Sequence, residues 1–172
     1  MLNEKEKKQL LINMISRVES GFLFIKSKYL IPQLKKDEIS PDILWLRSIY
    51  ILFSFYFEIL LKSMLIPTQK FEDVASINQQ FKKLGHNIQA IGNKLGKKTL
   101  TELEIKKISL KKDEYIITTS EKTIYVKDFT DIRYDFIKNK IKNITKNEDY
   151  IIQQSMEGAE QILNKIKAKH TQ

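Results

Sequence analysis

The chain has no cysteine, few glycines and prolines, and very little arginine or histidine, and several of these shortages exclude a class of function. Without cysteine there is no disulfide, no thiolate zinc site and no cysteine nucleophile, which fits a reducing cytoplasm. Five glycines leave no phosphate-binding loop and no dinucleotide fingerprint. The two histidines, His86 and His170, lie far apart in the sequence and indicate no transition-metal site. We therefore expect no metal and no other cofactor.

The length and composition are those of one ordinary folded domain. With 172 residues, of which 42% are hydrophobic and 30% charged, the chain can bury one core, and we expect a single domain over residues 1–172. The N-terminal segment MLNEKEKKQ is charged and shows no secretory signal. The longest uncharged run of the most apolar segment, residues 48–57, is shorter than the roughly 20 residues of a membrane span. These features predict a cytoplasmic protein without a membrane segment.

Lysine supplies nearly all of the formal net charge of +9. Of the 30 basic residues only three are arginines, at positions 17, 47 and 133. Arginine is the side chain that forms bidentate forks with phosphates and base edges. Lysines instead form either a solvated surface or a non-specific surface for a polyanion such as RNA. Both interpretations apply to the lysine clusters at residues 94–98, 106–112, 138–146 and 165–169.

Residues 43–66 carry the most informative pattern in the chain. Their sequence, ILWLRSIYILFSFYFEILLKSMLI, is apolar nearly all round, yet Arg47, Ser54, Glu58 and Lys62 follow one another at steps of seven, four and four. At about 100° per helical residue these four side chains share one narrow stripe. Because so apolar a helix is buried, its charged groups must find partners inside the protein or line a polar site.

Hydrophobic periodicity predicts a mainly helical chain. We expect helices over residues 3–29, 41–66, 71–84, 86–95, 99–108 and 147–167. The signals for their ends are Ser40-Pro41-Asp42 at the start of the second helix, Pro67 at its end, Gly85 and Gly96 after the third and fourth, and the capping boxes Thr99/Glu102 and Thr145/Glu148.

The period changes near residue 114. Residues 114–119 (EYIITT) and 123–127 (TIYVK) are β-branched and aromatic, and they predict a hairpin. Residues 128–143 carry no decisive pattern. The expected fold class is therefore mainly α, an up-and-down helical bundle of about five to six helices with a small β-hairpin inserted near residues 114–127.

Three short motifs, in this order, resemble those of the HEPN-like helical-bundle superfamily. They are Glu58-x-x-x-Lys62 in an apolar helix, Gly85-His86 at the start of a short helix, and Arg133-Tyr134 further along the chain. The resemblance implies an up-and-down helical bundle, often dimeric, of the kind found in prokaryotic toxin, defence and nucleotide-handling systems. Ribonucleases of this superfamily use an arginine followed four to six residues later by a histidine. This chain has no such spacing, so we assign no catalytic residue.

The sequence therefore predicts a non-enzymatic, self-associating HEPN-like module with a polar pocket for RNA or a nucleotide. The pocket residues would be Glu58, Lys62, His86, Arg133 and Tyr134. We expect a homodimer, because the central helix carries more aromatic residues around its circumference than one small core needs.

Plainer interpretations stand beside these predictions. Glu58 and Lys62 are four residues apart and can simply pair with each other, while Gly85-His86 can serve only to end one helix and begin the next. Two alternative functions follow: a HEPN-type ribonuclease with a degenerate site using His86 and Arg133, and a purely structural interaction protein. The ribonuclease would require these two side chains to share an open cleft.

Overall fold

The protein is mainly helical, as the sequence predicts, with one small antiparallel sheet. The computed structural model describes residues 1–27, 43–112, 114–128 and 147–170, with backbone only for 43–47 and 147–149. The helices in these residues are α1 Glu4–Ile25, α2 Ile43–Ser63, the single-turn α3 Leu65–Thr68, α4 Val74–Leu84, α5 Ile88–Glu102 and α6 Asn147–His170. The strands are β1 Ile105–Lys111, β2 Glu114–Thr119 and β3 Thr123–Lys127, paired in the order β1-β2-β3.

Helix α1 begins at a capping box and buries one apolar face against α2. The Asn3 side chain accepts a hydrogen bond from the Glu6 amide, and the Glu6 carboxylate accepts one from the Asn3 amide. The buried stripe of α1 comprises Leu11, Ile15, Val18, Phe22 and Ile25. The ring of Phe22 stacks on Phe53 of α2, with centroids 5.9 Å apart. The predicted first helix is thus confirmed over the described residues.

The central helix ends earlier than predicted, and Pro67 does not end it. Helix α2 stops at Ser63, and the Met64 amide donates to the carbonyl of Leu61, only three residues back. The single-turn helix α3 then begins at Leu65, with Pro67 as its third residue. The missing N–H of proline costs nothing there, because the amides of a first helical turn have no intrahelical partner.

Helix α4 begins three residues later than predicted. Its N-cap is Asp73, whose carboxylate accepts a hydrogen bond from the Ser76 amide at 2.7 Å. Phe71, the predicted first residue, is buried outside the helix. The predicted end is confirmed: Gly85 follows Leu84 with a φ of +57°, a backbone conformation that favours glycine.

Helix α5 is interrupted at Gly96, where the sequence predicts an end. Asn87 caps the helix through its side chain, which accepts from the Ala90 amide at 2.8 Å. Gly96 has a φ of +78°, and the chain then continues helically to Glu102. The predicted helix over residues 99–108 is wrong in its second half, because β1 begins at Ile105.

Sheet pairing explains why the end of that predicted helix is a strand. Ile108 of β1 pairs with Ile117 of β2, and its side chain lies over Gly92 of α5, within 2.5 Å of where a Cβ would be. An apolar cross-strand pair seated on a helix outweighs a weak local helix signal. The predicted hairpin is confirmed at the bounds of β2 and β3, but it forms part of a three-stranded sheet.

Some predicted helix caps lie outside the described residues. These are the caps assigned to Ser40, Pro41 and Thr145, and they stay predictions.

Among the described residues one stretch, Ser48–Thr68, is long and apolar enough to cross a membrane. However, 72% of its most apolar window is buried inside the protein, as in a core helix.

Helix α6 packs on the sheet through a glycine, and this contact is testable. The Ile124 Cγ1 of β3 lies 2.7 Å from where a Cβ on Gly158 would be, and Ile124 is fully buried. We expect Gly158→Ala to lower the free energy of unfolding by about 1–3 kcal/mol, since overpacking outweighs the gain in helix propensity. Urea denaturation measures this. Gln153→Ala, on the same helix and only half-buried, is the control, and equal stability of the two variants would contradict the predicted contact.

Candidate functional site

The polar stripe predicted on the central helix exists, and its members contact different parts of the fold. Tyr50, Ser54, Glu58 and Lys62 lie at four-residue steps on α2, and all four are buried. We call these four residues the polar ridge. The side chain of Arg47, which the sequence also places on the stripe, lies outside the described part of the chain. The ridge faces the sheet at its N-terminal end and the turn between α4 and α5 at its C-terminal end.

Glu58 is the centre of a hydrogen-bond network. Its Oε1 accepts a hydrogen bond from the Lys62 ammonium at 2.7 Å, and its Oε2 lies 2.8 Å from Nδ1 of His86. Glu58 is only 4% exposed and Lys62 7%, whereas the side chain of His86 is 37% exposed. Both carboxylate oxygens therefore have charge-assisted or polar partners, as a buried carboxylate requires.

The local sequence of the α4–α5 turn places the partners of this network. Gly85 ends α4 in a positive-φ conformation, and its carbonyl accepts a hydrogen bond from Lys62 Nζ at 2.6 Å. His86 follows directly, ahead of the Asn87 cap of α5. The ammonium also lies 5.8 Å from the centre of the Phe81 ring. One carboxylate, one carbonyl and one aromatic face thus surround the Lys62 cation.

Ser54 attaches the sheet to the central helix. Its hydroxyl donates to the Tyr50 carbonyl at 2.7 Å and accepts from the Lys127 amide at 3.0 Å. On α6, the Ser155 hydroxyl accepts from the Tyr125 amide at 2.9 Å in the same way. The amides of an edge strand need partners outside the ladder. Two serine hydroxyls supply them for β3, so Ser54 is a docking residue.

Tyr50 extends the ridge to β2. Its hydroxyl donates to the Glu114 carboxylate at 2.6 Å, and that carboxylate lies 3.3 Å from Lys127 Nζ. Sequence reasoning placed Tyr50 among the aromatic residues of the helix and missed this role. The four-residue spacing to Ser54 was the signal available.

Tyr115 of β2 is a second buried polar group near the ridge. It is 2% exposed, and the Asp128 carboxyl after β3 lies near enough to its hydroxyl to affect its pKa. Burial, with the negative charges of Asp128 and Glu58, raises the pKa of Tyr115 to about 12, so the phenol stays protonated at neutral pH. Sequence reasoning singled out neither residue, although the alternation of β2 places Tyr115 on its buried face.

The structure brings together three of the five residues predicted for a polar pocket. Glu58, Lys62 and His86 form one network, while Arg133 and Tyr134 lie outside the described residues. The plainer interpretation, that Glu58 and Lys62 pair within the helix, is confirmed. Lys62 is enclosed by its partners, which leaves it poorly placed to bind a phosphate.

The chemistry of the network is that of a carboxylate-oriented histidine. When neutral, His86 with its proton on Nδ1 donates to Glu58 and keeps Nε2 as the basic nitrogen. Such a ring can accept a proton, yet catalysis needs a reacting group and a charge stabiliser beside it. Within the described part of the chain, no three His, Asp or Glu side chains are close enough to hold a metal ion.

Comparisons with protein-family models, curated proteins and solved structures find no match for this chain.

The network predicts a large cost for removing its centre. We expect Glu58→Ala to lower the free energy of unfolding by about 3–5 kcal/mol, because Lys62 is then a buried cation without its counter-ion. Chemical denaturation measures this, with Glu72→Ala at an exposed position as the control. The double variant Glu58→Leu/Lys62→Met should be more stable than Glu58→Ala, since it removes both charges. A cost for Glu58→Ala no larger than that of the control would contradict the network.

Proposed function

We propose that this chain is a non-enzymatic, HEPN-like helical module that binds RNA through a lysine-rich surface on α5 and β1. The observation that supports this function is the set of seven exposed lysines on these two neighbouring elements and the turn after them: Lys94, Lys97, Lys98, Lys106, Lys107, Lys111 and Lys112. We call this set the basic face. Exposed lysines concentrated on neighbouring elements are the electrostatic signature of phosphate-backbone binding.

The carboxylates within the basic face do not cancel its charge. Glu102, at the end of α5, accepts a hydrogen bond from Lys169 of α6 at 2.6 Å, and Glu104 lies 2.6 Å from Lys165. The hydrogen bond from Lys169 lowers the pKa of Glu102. Because α6 supplies these counter-charges, the described face keeps a clear excess of positive charge.

The basic face replaces the polar ridge as the proposed binding surface. Lys62 is buried and bonded to Glu58 and Gly85, so we assign the ridge to stability and the surface lysines to the ligand. Arg133 and Tyr134 remain sequence-based candidates for additional contacts.

Paired lysine variants test the RNA proposal. We expect Lys106→Gln/Lys107→Gln to weaken binding of a labelled single-stranded RNA on the order of tenfold at 0.1 M salt, and to reduce the salt slope by roughly 0.7 for each phosphate that the variant no longer neutralises. Fluorescence anisotropy over a salt series measures both. Lys82→Gln/Lys83→Gln, which removes the same charge from α4, is the control and should change affinity far less.

Equal weakening by both double variants would contradict a localised basic face. Absent binding, or binding insensitive to salt, would favour the structural-partner alternative. The ribonuclease alternative is favoured by one observation, the Glu58–His86 hydrogen bond. Cleavage of the labelled RNA that both His86→Ala and Arg133→Ala abolish would establish it in place of the non-enzymatic function.

We propose further that the module self-associates through the outer side of the central helix. Leu52, Phe55 and Ile59 follow one another at helical spacing there, and all three are exposed or half-buried. Phe55 is 39% exposed, and its ring packs edge-on against Tyr56, with centroids 5.6 Å apart. Symmetric dimer interfaces commonly consist of such apolar rows on the surface of a helix.

A change at Phe55 tests self-association. We expect the protein to have a mass of about twice 20.3 kDa in light scattering at micromolar concentration, and Phe55→Gln to shift it to the monomer. Val74→Gln on α4 removes a comparably exposed apolar side chain and should leave the dimer intact. A monomeric wild-type protein would contradict the proposal.

A further inference from the structure

A cavity with several basic residues in its lining lies away from the polar ridge. It has a volume of about 210 Å³ and is found where the first turns of α1, the single-turn α3 and the last turn of α6 meet. Its polar lining includes Lys7 and Lys8 of α1 and Lys169 and His170 of α6, and Leu11 and Pro67 supply apolar walls. The volume is sufficient for a tetrahedral anion together with water.

The charge of the cavity is predominantly positive. Glu4 is the one carboxylate in its described lining, and it lies 3.1 Å from Lys7 Nζ. Glu102, beside the cavity, accepts a hydrogen bond from Lys169 at 2.6 Å, so the three lysines face two carboxylates. The side chain of Glu4 is 87% exposed, while that of Lys7 is only 10% exposed. A carboxylate in water is a weak partner for a buried ammonium. The Lys7 cation is therefore largely desolvated and only partly compensated.

His170, which also lines the cavity, has a ring nitrogen whose hydrogen-bonding capacity is not satisfied. Its Nε2 is buried and has no hydrogen-bond partner among the residues that the structure describes. Burial, followed by the positive charges of Lys169 and Lys8, lowers the pKa of His170, and the negative charge of Glu102 opposes this only in part. The negative charge of an anion in the cavity would oppose the effect of the two lysines and raise the pKa of His170.

We propose that this cavity binds a phosphate group, with Lys7, Lys8 and Lys169 supplying charge and His170 lining it. The site adjoins the basic face, because Lys169 also bonds Glu102 at the end of α5. The phosphate is either a free anion or part of an RNA backbone. The inference deepens the proposed function and rests on it only for the second of these sources.

The two histidines allow a direct test by NMR. We follow the pH titration of both imidazole rings in the wild-type protein, in sodium sulfate and in sodium chloride of equal ionic strength. Sulfate is a tetrahedral dianion whose charge does not change over this range. The apparent pKa of His170 should rise by about one unit in sulfate, as expected for an opposite charge within a few ångströms. His86, which is outside the cavity, should shift much less.

Variants connect the response to the cavity. Lys169→Met and Lys7→Met should each abolish most of the sulfate-dependent shift of His170, while Lys83→Met on α4 should retain it. Two variants are used because loss of the buried Lys7 also affects folding, whereas Lys169 is half-exposed. An unchanged His170 pKa in sulfate, or a full shift in both cavity variants, would overturn the proposal.

Inorganic phosphate and a short uridine oligonucleotide then distinguish the sources of the group. A His170 response to both, with sulfate displacing the oligonucleotide, identifies a backbone phosphate subsite. A response to inorganic phosphate and sulfate alone identifies a site for the free anion. The tests separate the two proposals. If the Lys106/Lys107 experiment shows no RNA binding while His170 still responds to sulfate, the cavity proposal stands alone. If RNA binding depends on Lys106 and Lys107 while His170 does not respond, only the basic-face proposal stands.

Discussion

The buried carboxylate of Glu58 is the constraint on which the fold around the central helix depends. A charge 4% exposed is tolerated only when both oxygens have partners. Lys62, one turn along α2, supplies the first, and His86, from the turn between α4 and α5, supplies the second. The requirement fixes the position of that turn against α2, and the Gly85 carbonyl completes the coordination of Lys62. The need of one buried carboxylate for hydrogen-bond partners thus determines the contact between α2 and the α4–α5 turn.

The same helix uses its remaining ridge residues to hold the sheet. Ser54 accepts from the Lys127 amide, and Tyr50 donates to Glu114, so one face of α2 fixes the α4–α5 turn at one end and two strands at the other. This arrangement commits the polar ridge to contacts within the fold. For that reason our proposals assign ligand binding to other charges, the surface lysines of the basic face and those around the cavity that Lys169 joins to it.

Sequence patterns succeeded where the decisive physics was local. The φ of +57° at Gly85, the break at Gly96 and the bounds of β2 and β3 follow from glycine freedom and β-branched alternation. The same patterns failed where contacts with residues distant in the sequence determined the secondary structure. The strand β1 contains residues with a helical signal, yet Ile108 pairs with Ile117 and rests on Gly92. The start of α4 was predicted too early for another reason. Phe71 is apolar and buried, which resembles a helix position in the sequence, but it lies before the helix.

The sequence alone determined that α2 is buried and that Ser54, Glu58 and Lys62 share one side of it, because helical periodicity acts on neighbouring residues. It also offered the Glu58–Lys62 pair as the plainer of two interpretations, since four-residue spacing favours such a pair. Only the tertiary structure decided what meets them: the His86 ring at Glu58, the Gly85 carbonyl at Lys62 and a strand amide at Ser54. The cavity was equally beyond the sequence, since Lys7 and His170 come from opposite ends of the chain and only packing brings them together.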